Sequence, residues 1–193
     1  MPGLGKLTTR SALLAIAATV VSSATAAQAT VVDSGHFAGS ESGVPDEICG
    51  ISAVRDSTFS GTFRIRQGKG ADDQAFFLRQ NFRFADTFTN PDNGQSVTIE
   101  GHSLYNEVKA TRVEGNVFEF ATIEAGQPFA ILDSAGNVLV RDRGVIRRMV
   151  LFDTLGDSAP GGVTLDEQIV RVSGPHAGLD DASNCAIVTS LIG

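Results

Sequence analysis

The sequence predicts an all-β protein: one antiparallel meander closed into a β-barrel, preceded by an irregular N-terminal arm and followed by a short C-terminal helix. A β-sandwich is the alternative architecture. Three observations carry this reading. From Thr58 onward apolar residues return at every second position, the spacing of strands with one buried face. Short stretches rich in Gly, Asn, Asp and Pro separate these runs at hairpin length. Only Asp180–Leu191 has helical spacing, with Cys185, Val188, Leu191 and Ile192 on one side. A meander of this length hides its edges most simply by closing on itself, hence the barrel.

The elements follow in order. Residues 1–29 read as a cleaved signal peptide: Lys6 and Arg10 precede an apolar run from Ser11 to Ala24, and Ala27-Gln28-Ala29 supplies the small residues a signal peptidase needs. The run is shorter than the ~20 residues that span a bilayer, and no later segment reads as a membrane anchor. The expected location is therefore extracellular. Residues 30–57, rich in Gly, Ser and acids, read as the irregular arm, and residues 58–193 as the barrel domain with its helix. Phe59, Gly61, Phe63 and Ile65 alternate with Ser60, Thr62, Arg64 and Arg66. After the turn "QGKGADDQ", Phe76, Leu78, Phe82, Phe84 and Phe88 share one parity, while Phe77, Arg79, Asn81 and Arg83 share the other. "NPDNGQ" turns the chain into Val97 and Ile99, which oppose Thr98, Glu100 and His102. Further strands are expected at 107–113, 117–124, 128–132, 138–140, 147–155 and 167–172, with "DSAGN" (133–137) as a hairpin loop. The total is eight or nine.

Composition narrows the function. The formal net charge is −7, and removal of the leader, which holds Lys6 and Arg10 and no acid, makes it more negative. Such a surface argues against nucleic acid or an anionic membrane as partner. Cys49 and Cys185 are the only cysteines, and in an exported chain an isolated pair is expected to form a disulfide. They lack the paired spacing of a zinc site, and no metal or other cofactor is expected.

Several motifs invite a chemical reading. Gly156-Asp157-Ser158 begins like the nucleophile loop of a trypsin-like protease, but Ala159-Pro160 replaces the donor glycines, so the stretch reads as a turn. Asn93-Gly94 and Glu100 match part of a calcium loop, yet Thr89 and Pro91 would stand at its first ligand positions, and a hairpin turn fits instead. His36 and His176 lie in loose segments without metal spacing. His102 stands two residues after Glu100 on one strand face, where a carboxylate ~7 Å away can orient an imidazole for acid–base work. The pairs Arg64/Arg66, Arg79/Arg83 and Arg141/Arg143 each fall on one face of a strand and would form an anion site if those faces converged. All 12 phenylalanines follow the leader, beside one Tyr and no Trp. Phe76, Phe82, Phe84, Phe118 and Phe120, with Arg79 and Arg83, are the residues expected to line a ligand cavity.

"FDTLGD" following "VRDRG", together with the leader and the Cys49/Cys185 pair, resembles a group of uncharacterised secreted proteins of actinobacteria. The resemblance covers most of the chain after the leader and implies no activity. In architecture the chain is also similar to lipocalin-like and allene-oxide-cyclase-like barrels, although the lipocalin Gly-x-Trp signature is absent. The expected function is a secreted barrel that binds a small, partly apolar or anionic molecule. The alternatives are a cyclase- or isomerase-type enzyme using His102 and Glu100, and an extracellular protein-interaction module.

Overall fold

The computed structural model describes residues 30–69, 75–156, 159–176 and 180–193. Residues 1–29, expected to form a leader, and Asp157-Ser158, expected to form part of a turn, lie outside the described residues. Seven strands run β1 (Val31–Ile48), β2 (Ile51–Gln67), β3 (Phe76–Thr89), β4 (Ser96–Glu114), β5 (Val117–Leu132), β6 (Val138–Asp153) and β7 (Val163–Ser173), followed by helix α1 (Asp181–Ile192). Every strand pairs antiparallel with its sequence neighbour, in the order β1-β2-β3-β4-β5-β6-β7. The meander is as expected, but the sheet is not closed: a barrel would pair β1 with β7, and these are the two edges.

The segment expected to be an irregular arm is β1 and the start of β2. Its sequence hides the strand because its core-facing positions are Gly35, Phe37 and Gly39, and the apolar cover for the glycines comes from β2. A Cβ on Gly35 would lie 2.9 Å from the Phe63 ring, and one on Gly39 would lie 2.5 Å from the Phe59 ring. The strands that read as two are single strands carrying bulges. Register shifts lie between Glu107 and Lys109 on β4, and between Gly126 and Phe129 on β5 opposite β6. Each extra residue resets the two-residue alternation, so one ribbon reads as two short ones.

Pairing register sorts the side chains onto two faces. The core face carries Ala53, Phe88, Val97, Ile99, Ile131 and Val140 at one end, packed against Val188 and Ile192 of α1. A second cluster at the far end contains Ala75, Phe77, Ala110, Phe118 and Phe120. The opposite, outer face is mostly polar on β2 to β4, with Ser60, Thr62, Arg64, Arg79, Asn81, Arg83, Glu100 and His102, and carries Ala121, Ile123, Ala125, Val145, Met149 and Leu151 on β5 and β6.

Helix α1 is held at three points. Asp180 caps its N-terminus, accepting from the Ser183 backbone N–H at 3.1 Å and from its hydroxyl at 2.8 Å, which holds the Asp180 carboxyl below its ordinary range. The Ile192 carbonyl accepts from Asn90 Nδ2 at 2.6 Å and Asn93 Nδ2 at 3.2 Å, so the β3–β4 turn closes the helix C-terminus. Cys185 is bonded to Cys49, in the two-residue turn between β1 and β2 where Cys49 and Gly50 have φ of 53° and 79°. Positive φ at both central residues is the hairpin turn whose twist suits antiparallel strands.

The disulfide spans 136 residues, a closure the loop-entropy treatment values at about 5 kcal/mol. Replacing Cys185 with Ser is expected to lower the melting temperature by ten degrees or more on the order-of-magnitude scale for a domain of this size. Thermal unfolding followed by circular dichroism, with and without reductant, checks this; an unchanged midpoint refutes it.

Candidate functional site

The two faces divide the residues that the sequence grouped as one site. On β3 the even positions Phe76, Leu78, Phe82 and Phe84 share the parity of the core residue Phe88, and the odd positions Arg79 and Arg83 lie on the outer face; Phe77, of the arginines' parity, is the exception, packing against Phe120 at 5.8 Å at the strand's end. Glu100 and His102 are also on the outer face, His102 directly opposite Arg83 and Glu100 opposite Ala85. Arg83, His102 and Glu100 are thus brought together, while Phe82 and Phe84 point away from them. Phe118 and Phe120 are buried, at 0% and 3% exposure, in the far core cluster.

The outer-face group borders two shallow hollows. Ser60, Arg83 and His102 form one cross-strand row. On one side of it lies a hollow of about 420 Å³ bounded by Thr58, Ala85 and Glu100; on the other lies one of about 390 Å³ bounded by Thr62, Asn81 and Leu104. Both have the sheet backbone as floor. They are wide and open, with His102 and Arg83 exposed on the ridge between them, and offer hydrogen-bonding side chains but no exclusion of water.

On the core face, the middle of β1–β3 is an aromatic shelf. Phe37 and Phe82 flank Gly61 and stack across it at 6.1 Å, and Phe82 stacks on Phe84 at 5.7 Å. A Cβ on Gly61 would lie 2.5 Å from Phe37, and one on Gly101 would lie 2.6 Å from Phe84, so glycine makes the room each ring occupies. All three rings are only half-buried.

Beside the shelf, on β4–β7, the same face carries a polar network that sequence reasoning missed. Ser103, directly opposite Phe82, donates to Glu124 Oε1 at 2.9 Å. Arg148 reaches Glu124 Oε2 at 2.7 Å and Glu167 Oε1 at 2.9 Å, joining β5, β6 and β7. Tyr105 donates to Glu107 Oε1 at 3.3 Å, and the Leu78 backbone N–H donates to Glu107 Oε2 at 2.6 Å. Burial pushes the Glu107 carboxyl up to about 7 against those two hydrogen bonds, and burial with the Glu107 charge pushes Tyr105 up as well. Further along β6, Asp142 Oδ1 lies 2.6 Å from His176 Nδ1, with side-chain exposures of 4% and 3%. His176 Nε2 lies 3.1 Å from the Ser173 carbonyl. Burial raises the Asp142 pKa, while His176 lowers it.

A signal for part of this network was present. Phe118, Phe120, Thr122 and Glu124 share one parity, as do Val97, Ile99, Tyr105 and Glu107, so a core-facing alternation ends in a carboxylate on both strands. Asp142 and His176 had none, because only the β6–β7 pairing and the loop after it bring them together. Among the described residues no group of three His, Cys, Asp or Glu side chains is arranged to hold a metal ion, and no helix is long and apolar enough to cross a membrane. Comparison with protein-family models, curated proteins and solved structures finds no match to this chain.

Glu107 gives the site a measurable pH signature. Its folded-state pKa, about 7, lies above the ordinary carboxylate value of 4.5, so the native state binds the proton more tightly than the unfolded chain does. Its contribution is complete below about pH 4.5 and is lost as pH rises through 7. Glu107→Gln, which keeps an oxygen for the Leu78 N–H, is expected to remove that dependence and to be more stable than the parent by roughly 3 kcal/mol at pH 8. Denaturant unfolding of both proteins at pH 5 and pH 8 measures the difference; parallel pH profiles for the two contradict it.

Proposed function

We propose that the protein is an exported binding protein that holds a small, partly apolar molecule on the core face of its sheet. The observation that carries this reading is the half-buried Phe37–Phe82–Phe84 stack, which runs out from the edge of the cluster capped by α1 and is set directly against the Ser103–Glu124–Arg148 network. An apolar wall with a few ordered polar groups beside it is what orients a small ligand. Both ends of the same face are filled with packed side chains, so the uncovered middle is the part left for a guest. Export is supported by the leader-like residues 1–29 and by the Cys49–Cys185 disulfide, a bond that persists outside the reducing cytoplasm.

The chemistry of the network favours one class of ligand. Glu124 and Glu167 share a single guanidinium, Arg148, while Glu107 on the same face is held by Tyr105 and the Leu78 N–H alone. Unfilled acceptor capacity remains, and a further anion would meet like charge. The ligand fitting this site has an apolar body and a hydroxyl or ammonium head. The acid–base reading of His102 and Glu100 has less support, since these residues stand on the other face and on open hollows that do not exclude water.

Native mass spectrometry with medium-chain alkanols, alkylamines and fatty acids is the test. One-to-one retention of alkanols or alkylamines over fatty acids of equal length is expected. Phe82→Ser, at a half-buried position, is expected to weaken that retention about tenfold, the effect of losing one good anchor. Retention of none of the three classes, or binding indifferent to Phe82→Ser, removes this reading.

A further inference from the structure

We propose that the outer face of the sheet binds an acidic polysaccharide, a sugar polymer bearing carboxylate groups. This surface is opposite the aromatic shelf and does not depend on the small-molecule reading. The observation is a register that sets like charges against each other. Arg64 on β2 lies directly opposite Arg79 on β3, and Arg147 on β6 lies directly opposite Arg171 on β7. The intervening partners Asn106 and Ile123 place all four on one cross-strand row of the outer face. Arg83 stands on that face four residues along β3, beside His102. All five arginines are exposed. The ion pairs among the described residues use Arg55, Arg148 and His176, and none of these five.

Like charges directly opposite in a sheet destabilise it, and a carboxylate partner on the next strand would relieve the repulsion. The chain is rich in acids and has a net charge of −7, yet no carboxylate stands on this row: on the same face Glu100 lies beyond Arg83, Glu119 and Asp166 lie four or more residues along their strands, and Glu107, Glu124, Asp142 and Glu167 are on the core face. A cost retained on one face of an acidic protein, where neighbouring positions could carry acids, is the pattern of a surface shaped for an outside anion. At physiological salt the opposite charge beyond ~8 Å is largely screened, so the local arginines and not the net charge decide what docks here.

The groups between the arginines choose the class of anion. Ser60, Thr62 and Asn81 present hydroxyl and amide groups on the walls of the two hollows, Asn81 donating to Thr62 Oγ1 at 3.3 Å. Glu100, on the rim of one hollow, can only accept once ionised. Ring hydroxyls supply donors for Glu100 and partners for the Ser, Thr and Asn groups, while ring carboxylates meet the guanidinium forks. A polyphosphate has no donor for Glu100, and an anionic lipid surface presses it against like charge.

The test uses the full chain after the leader in affinity electrophoresis through gels holding polygalacturonate, neutral dextran or polyphosphate, with phosphatidylglycerol vesicle flotation as a fourth arm. Retardation is expected in polygalacturonate alone, weakening as salt is raised. Arg79→Thr and Arg147→Thr are each expected to lower the affinity about tenfold while leaving the melting temperature unchanged or raised, since each removes a like-charge pair. A merely structural role for these arginines would lower it. No retardation by polygalacturonate, equal retardation by dextran, stronger binding to polyphosphate or vesicles, or variants that bind like the parent each overturn the proposal.

Discussion

A long sheet must bury one face, and this chain has one short helix to do it with. Strands of 16 to 19 residues extend roughly 55–65 Å, whereas the twelve residues of α1 cover about 18 Å. The helix therefore seals only one end of the core face, over Val97, Ile99, Ile131 and Val140. Everything else about the interior follows from covering the remainder without a second layer. At the far end Phe118 and Phe120 pack with Phe77 and Phe152, with ring centroids near 6 Å. In the middle, rings lie flat over glycines of the neighbouring strand, so that one strand's side chains roof another's backbone.

The ion pairs answer the same shortage. Arg55 joins Glu41 and Asp46 of β1 to Asp86 of β3, and Arg148 joins Glu124 of β5 to Glu167 of β7. Each guanidinium bridges across its own strand, tying three ribbons together where no apolar layer does so. Their side chains are about one-fifth exposed, which leaves them less screened than surface pairs and less costly to desolvate than deeply buried ones. The edge strand β7 gains least from this scheme. Val163, Leu165, Ile169, Val170 and Val172 are all exposed, and the register shifts opposite Arg147/Arg148 and Leu151/Phe152 interrupt the regular edge that a foreign strand would need.

Strand identity and the C-terminal helix were legible in the sequence because their signal is local. The alternation at Phe59–Ile65 and Phe76–Phe88 and the turns "NPDNGQ" and "DSAGN" appear in the structure where the pattern put them. Strand number was not legible, since a bulge resets parity without ending the ribbon. Nor was β1, whose core-facing glycines are apolar only by virtue of rings on β2. Closure could not be read either, because whether the first and last strands meet depends on accumulated twist and bulging. For the candidate site, periodicity correctly separated Phe82 and Phe84 from Arg79 and Arg83 as parities. Placing both sets in one cavity required a closed interior that an open sheet does not have. The Asp142–His176 pair was invisible, as residues 34 positions apart in sequence carry no mutual spacing signal.

The bond between Cys49 and Cys185 joins the first hairpin turn to the last element of the chain. During synthesis the amino-terminal thiol emerges long before its mate, with six strands still to come. Cys49 has no partner until the helix arrives, so the oxidising step marks completion of the fold and not its beginning. A chain truncated anywhere before residue 185 would keep a free thiol at the tip of its first hairpin, a chemical flag that distinguishes unfinished molecules from finished ones.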